Sequence, residues 1–324
     1  MNAESEFERI INLIRLTLKC IGIKLLGRRM KNFRELITST MYCYINMVWL
    51  LSIFTQLVYF IRLHLMNRNF YDVFYLWPCM SYTILALTKT FALVYNKNEI
   101  EMLLVTLEGY HYEEKNEEMR LAYAKSQKEG FKYLKIVMVI TIVSNVVMTL
   151  LFVCTPFVQM INIYLETNEI KRITMFPIRY SFLDPDRSLT EYILIYIHQT
   201  VSAVFDIMNT AAPDMLLFFL CTCLHIEFRL LGFRSEKILS DSIKVYTNNN
   251  LCITDEDPEI DEIVLKDKIV KIILRHLELI EKVELVDEIH AKPTLLNFVL
   301  SSVLICASAF NSVVSIAIIC IILK

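Results

Sequence analysis

The sequence predicts an all-α fold, a polytopic bundle of membrane-spanning helices with a cytoplasmic N-terminus. The first observation behind this prediction is a set of five apolar stretches, each longer than the roughly 20 residues that cross a bilayer as a helix. Three of them contain no charged residue, and the other two contain only Lys89, Asp206 and Asp214. In chain order, spans 1 to 5 are 36–61, 73–96, 136–165, 192–226 and 293–323.

The second observation is the uneven distribution of Lys and Arg between the spans. Of 33 such residues, 25 lie in 1–35, 97–135 and 227–292, whereas 62–72 and 166–191 together hold 6. The positive-inside rule assigns the first three segments, and with them the N-terminus, to the cytoplasm. The expected parts are a cytoplasmic amphipathic segment at 1–35, spans 1–4 over 36–226, a cytoplasmic loop and helix at 227–292, and span 5 at 293–324.

Composition and motifs argue against catalysis. A net charge of −2 and 55% hydrophobic residues give no signal for nucleic-acid binding. The sequence contains no glycine-rich phosphate loop, no His-Glu-x-x-His and no Gly-x-Ser-x-Gly motif. Cys221 and Cys223 resemble half of a metal site, but on a helix they point to different faces. We expect no enzyme, no metal and no cofactor.

Residues 5–28 have the apolar spacing of an amphipathic helix, with Phe7, Ile11, Ile14 and Leu18 at steps of three or four. Basic residues flank this stripe. Two positions suit such a segment before span 1: flat on the inner leaflet, or packed against the cytoplasmic ends of the bundle.

The three charges inside the spans carry specific expectations. Lys89 lies in the inner third of span 2, where its side chain can extend to the cytoplasmic headgroups. Asp214 follows Pro213 near the inner boundary, which favours a solvated carboxylate. Asp206 lies deeper, and we expect it in a wet crevice or beside an interior partner.

The cytoplasmic segment 227–292 contains an acidic linker and then a second amphipathic helix. Residues 241–262 are rich in Asn, Asp and Glu, a composition typical of a solvated linker. Over 260–290, apolar residues recur at steps of seven, three, four and three: Ile263, Val270, Ile273, Leu277 and Ile280. This apolar seam requires a partner, either another helix of this chain or a second subunit.

Two stretches resemble the insect odorant receptor family. The first joins the second outer loop to span 4 and carries a Pro–aromatic–Asp pattern with a Tyr-x-x-Gln: Phe176, Pro177, Tyr180, Asp184, Tyr192, Tyr196 and Gln199. The second, in span 5, has Phe298, Ser301, Ser302, Cys306 and Phe310. The resemblance follows the span order along the whole chain.

The resemblance implies a tuning subunit that binds small volatile odorants and gates a cation channel. In this family it assembles with a shared co-receptor into a heterotetramer in the plasma membrane of sensory neurons, as a multi-pass protein. The cytoplasmic ends of the later helices form an anchor between subunits, which suits 227–292. The family has seven spans and this chain shows five, so we expect that the chain alone does not conduct.

Two alternatives remain at the level of sequence. A gustatory receptor would share the fold, and its distinguishing motif would follow span 5. A non-conducting, truncated membrane assembly subunit would also fit, because the span that lines the pore in the family is absent from this sequence.

We choose the candidate ligand contacts by their expected position in the outer half of the helix bundle. Aromatic and methionine side chains with few polar groups suit an apolar volatile. The ligand-binding candidates are Trp77, Met80, Tyr82, Met148, Phe152, Tyr196, His198 and Ser202.

Overall fold

A computed structural model of the 324-residue chain describes most of it. The described residues are 3–23, 44–45, 48–49, 51–55, 57–59, 61–62, 65–66, 70–112, 117–176, 180, 183–249 and 258–322.

Every regular element within the described residues is an α-helix, which confirms the all-α prediction. The described residues of span 1 are helical throughout. The six helices with defined bounds are α1 (Ala3–Cys20), α2 (Phe70–Tyr95), α3 (Lys97–Tyr112), α4 (Glu117–Thr167), α5 (Leu189–Asn249) and α6 (Pro258–Ile322).

The last three helices are much longer than a membrane is thick. They contain 51, 61 and 65 residues, or about 75–100 Å at helical rise. Pro156, Pro213 and Pro293 lie inside them without ending them. Within the described part of the chain, Met119–Thr167 and Leu189–Ser240 are long and apolar enough to cross a membrane.

These two segments differ sharply in burial. In the most apolar 18-residue stretch of the α4 segment, only 6% of the residues are buried inside the protein. In the corresponding stretch of the α5 segment, 50% are buried. The apolar side chains of α4 are largely exposed, as lipid-facing residues are. By contrast, α5 contributes buried polar residues along much of its length.

The chain forms two compact units. The first comprises 1–13, 97–138 and 215–289, and the second comprises 14–96, 139–214 and 290–324. In the first unit the Phe7 ring lies 6.0 Å from that of Phe131 and 5.8 Å from that of Phe219, which joins α1 to α4 and α5.

The apolar stripe of α1 is buried in protein, with Phe7, Ile11, Ile14 and Leu18 all nearly inaccessible. Packing against helices is therefore the better of the two positions considered for this segment. At Gly130, α4 and α5 lie close together: a Cβ there would meet the Ile226 side chain at 3.1 Å, a tight contact that the side chain would have to shift to relieve.

Candidate ligand-binding site and family

A row of polar side chains runs along one face of α5 in the second unit. Ser202, Asp206 and Asn209 follow each other at steps of four and three, so they share a helix face. All three are buried. Since buried polar groups in an apolar bundle are stable only when hydrogen-bonded, the row requires partners on neighbouring helices.

Span 1 and α2 supply these partners. The interhelical bonds run from Trp49 Nε1 to Ser202 Oγ (2.6 Å), from Thr83 Oγ1 to Asp206 Oδ2 (3.0 Å), and from Thr90 Oγ1 to Asn209 Oδ1 (2.7 Å). We call these three bonds the polar ladder. Asp206 therefore has an interior partner, which was one of the two possibilities considered for it.

An ion pair between α2 and α5 lies beyond the ladder. Lys89 Nζ donates to both carboxylate oxygens of Asp214 at 2.7 Å. The Lys89 side chain is only 4% exposed, and that of Asp214 is 37% exposed. The expectation that Lys89 extends to the headgroups is wrong, because a carboxylate on the next helix neutralises its ammonium inside the protein. Asp214 is partly solvated, as expected, but it is also paired.

An aromatic cluster surrounds the Ser202 end of the ladder. The Trp49 indole stacks on the His198 imidazole with ring centres 5.0 Å apart, and Phe205 lies 6.1 Å from the same indole. The Tyr180 hydroxyl and His198 Nδ1 form a 2.9 Å hydrogen bond. Burial raises the pKa of Tyr180, a residue of the outer loop, to about 12, so its hydroxyl stays protonated at neutral pH.

The outer loop is attached to α5 by a pair of hydrogen bonds. The fully buried Gln199 accepts from the Phe176 backbone N–H and donates to the Phe176 carbonyl, both at 3.0 Å. This fixes the Phe176 ring among the helices. The ring packs against Ile53 and Leu57 of span 1 and lies 6.3 Å from the ring of Phe152.

The structure brings several of the predicted ligand residues together. Met80 joins the cluster of Ile53, Leu57 and Phe176, and Phe152 contacts the same phenylalanine. His198 and Ser202 both contact Trp49. The site is therefore built from apolar rings, a thioether and a few hydroxyl and imidazole groups.

The other predicted ligand residues are placed differently. The Tyr82 side chain lies near Thr210 and Asp206 of α5. The Tyr196 hydroxyl donates to the Val153 carbonyl, and its ring lies 4.9 Å from that of Phe157. The Met148 side chain is exposed on α4. The Trp77 side chain lies outside the described residues, so its role stays a prediction.

The site also contains residues that were not chosen from the sequence: Trp49, Phe176, Tyr180 and Gln199. Three of them belong to the stretch that carries the family resemblance, which was a usable signal. Trp49 had none, because an aromatic residue in an apolar span is usually packing or lipid-facing. Within the described residues, no three His, Cys, Asp or Glu side chains are grouped as metal ligands.

An open depression of about 460 Å³ lies at the C-terminal end of span 1, beside the site. Its lining is nearly all apolar: Val58, Ile61, Arg62, Leu65, Met66 and Met80. Met80 is the residue that the depression shares with the Phe176 cluster.

Comparison with known proteins agrees with this architecture. The chain is similar to the solved insect olfactory receptor OR5 from Machilis hrabei, with a TM-score of 0.69, 13% identity, and coverage of 95% of this chain and 72% of that one. The structure of OR5 in complex with eugenol gives a TM-score of 0.71, 14% identity and coverage of 95% and 71%. No curated protein sequence matches the chain significantly.

The family model for the 7tm odorant receptor matches residues 72–323, which is well over half of the sequence. This segment includes all but the first two residues of α2, all of α3 to α6, and with them the whole α5 polar row. The chain therefore belongs to the 7tm odorant receptor family, and is a multi-pass membrane receptor rather than an enzyme.

Proposed function

We propose that this protein is an odorant receptor tuning subunit that binds small volatile molecules and, with a shared co-receptor, gates a cation channel in the plasma membrane of sensory neurons. The observation that carries the proposal is the cluster of Trp49, His198, Phe176 and Met80 inside the helices of an odorant receptor fold. The similar OR5 structure that contains eugenol supports a small ligand in this architecture.

The chemistry of the cluster suits such ligands. Stacked rings and a methionine offer apolar contact to molecules of varied shape. His198 and Ser202 add hydrogen-bonding groups at the same place, and both already take part in bonds that hold their side chains in position. A volatile with an apolar body and one polar group is the class that fits.

Direct binding tests the proposal without depending on conduction. The chain has two tryptophans, Trp49 and Trp77, and Trp49 lies in the proposed site. We expect indole fluorescence of the purified protein in lipid nanodiscs to change and saturate with volatiles from a panel of eugenol, octanol, heptanone and ethyl hexanoate. His198→Ala removes the stack on Trp49 and should weaken binding about tenfold, or 1.4 kcal/mol.

His225→Ala is the matched control, because His225 lies exposed on the same helix in the other unit. It should bind as the wild type does. Equal effects of the two substitutions, or no saturable fluorescence change with any volatile in the panel, would refute this binding site.

The co-receptor partner is supported by the exposed apolar seam of α6. Val270, Ile273, Leu277 and Ile280 are all exposed in the described part of the chain. An apolar stripe of this kind on a cytoplasmic helix is typical of a subunit contact. The seam would then be the centre of the 227–292 anchor.

A charge in the seam tests this contact. Leu277→Glu should abolish co-purification with the co-receptor, because it places a carboxylate in the apolar contact. Glu281→Gln, one turn along at an exposed position, should leave it intact. Normal co-purification of the Leu277→Glu protein would exclude the seam as the interface.

A further inference from the structure

We propose that the open depression beside Met80 is an entry site, through which a volatile passes sideways from the lipid to the aromatic cluster. This inference rests on the proposed function, since it names a route to the same binding site. The occupant is the volatile ligand itself, in transit.

The depression has the size and chemistry for this role. Its volume of about 460 Å³ lies within the usual range of small-molecule pockets, on the order of 300–1,000 Å³. Among the described residues that line it, Arg62 is charged and the others are apolar. Volatile odorants are apolar enough to concentrate in lipid, so an apolar depression that opens on a transmembrane helix meets them where they are most abundant.

Among the described residues, Met80 is shared by the depression and the cluster. The Met80 side chain lines the depression and also packs in the cluster with Phe176, Ile53 and Leu57. Methionine is unbranched, with three rotatable bonds, and is the most adaptable apolar side chain. This continuity is the reason to assign the depression to the ligand rather than to a lipid chain that only covers it.

Entry through the outer loop would break many more contacts. The loop is held by the two bonds between Gln199 and Phe176, and by the bond between Tyr180 and His198. Arg172 also donates to the carbonyls of Pro185 and Asp186, at 3.0 and 3.2 Å. A rotation of Met80 breaks no hydrogen bond, and side-chain rotations are fast compared with loop opening. The side route therefore has the lower barrier.

Substitution of Val58 tests the route without touching the aromatic cluster. Val58→Phe places a ring in the depression. An obstruction of a route slows entry and exit by the same factor, so association and dissociation rates should each fall about fivefold while Kd stays unchanged. Both rates are measured by stopped-flow tryptophan fluorescence with the volatile from the panel above that binds tightest. Ile61→Phe, from the same depression, should act in the same way.

Val48→Phe is the matched control. Val48 is 48% exposed on the same helix, against 42% for Val58, and does not line the depression. Wild-type rates in both Phe variants of the depression overturn the proposal, and so does equal slowing by Val48→Phe. A raised Kd with unchanged association rate overturns it too, because the depression would then be part of the binding site. If no volatile binds the wild type, the proposed function fails, and this route with it.

Discussion

Two ion pairs of equal length occupy opposite environments in this molecule. Lys89 and Asp214 join α2 to α5 at 2.7 Å, and Arg229 and Glu129 join α5 to α4 at 2.7 Å. The side chains of the first pair are 4% and 37% exposed, whereas those of the second are 38% and 45% exposed. Distance alone would rank the two pairs as equal.

Burial makes them different. The Lys89 ammonium has lost nearly all contact with water, so the carboxylate of Asp214 supplies the interactions that hydration would give. Both members of the other pair keep water around them, and exposed pairs of this kind contribute little to stability. The comparison teaches that the loss of stability on removing one member of an ion pair depends on whether the remaining charged side chain can be hydrated.

The largest effect is therefore expected from Asp214→Asn. This nearly isosteric change leaves the Lys89 ammonium buried without a carboxylate, and should lower the free energy of unfolding by about 4 kcal/mol. Lys89→Met should cost much less, because Asp214 is 37% exposed and can be hydrated. The measurement is thermal unfolding in detergent, followed by tryptophan fluorescence.

The double variant decides whether the buried charge is the cause. Lys89→Met combined with Asp214→Asn should recover most of the stability lost in Asp214→Asn, because neither charge of the pair then remains. Equal losses in the two single variants, or no recovery in the double variant, would show that burial does not set the ranking.

An intermediate effect is expected at Arg275, whose guanidinium contacts Glu227 at 3.1 Å. The two side chains are 19% and 6% exposed. Burial raises the pKa of Glu227, although Arg275 beside it acts in the opposite direction. Arg275→Met removes that compensation and should cost about 2 kcal/mol at neutral pH.

This loss should depend on pH. A carboxyl whose pKa is raised by folding binds its proton more tightly in the native state, so stability falls as pH rises from the unfolded to the folded pKa. Arg275→Met widens this window, and its unfolding midpoint should approach that of the wild type as pH is lowered through it. When Glu227→Gln is added to Arg275→Met, the loss of stability should no longer depend on pH. A loss that is the same at every pH would exclude Glu227 as its cause.

The sequence predicts the helices far better than it predicts the partners of their polar residues. Apolar length and periodicity are local properties, and they correctly predict the α1 stripe and helices through spans 3, 4 and 5. They do not predict how far these helices extend: α5 continues to Asn249, into the expected linker, and α6 runs unbroken through Pro293. Lys89 was misjudged because its partner lies 125 residues away, and depth in the membrane is the one signal that a single span provides.

The candidate site shows the same limit. His198, Ser202, Met80 and Phe152 were found from depth and residue type. Trp49 was not, because its role depends on which face of span 1 meets α5, and no local pattern encodes that. Phe176 enters the bundle from a loop through Gln199, a contact that follows from the fold and not from hydrophobic spacing.

The smallest effect is expected at the exposed pair, and it is the sharpest test of the comparison. The hydrogen bond and charge of Arg229 lower the pKa of Glu129, so the two groups do interact in the folded protein. Water and salt nevertheless replace most of that interaction once Arg229 is gone. Arg229→Gln should leave the unfolding midpoint unchanged at physiological salt, with a small decrease detectable only at low ionic strength. A different outcome would be that Arg229→Gln destabilises the protein as much as Asp214→Asn does, at either salt concentration. Bond length rather than burial would then govern the stability contributed by both pairs. The reasoning applied to Lys89 and Glu227 would fail as well.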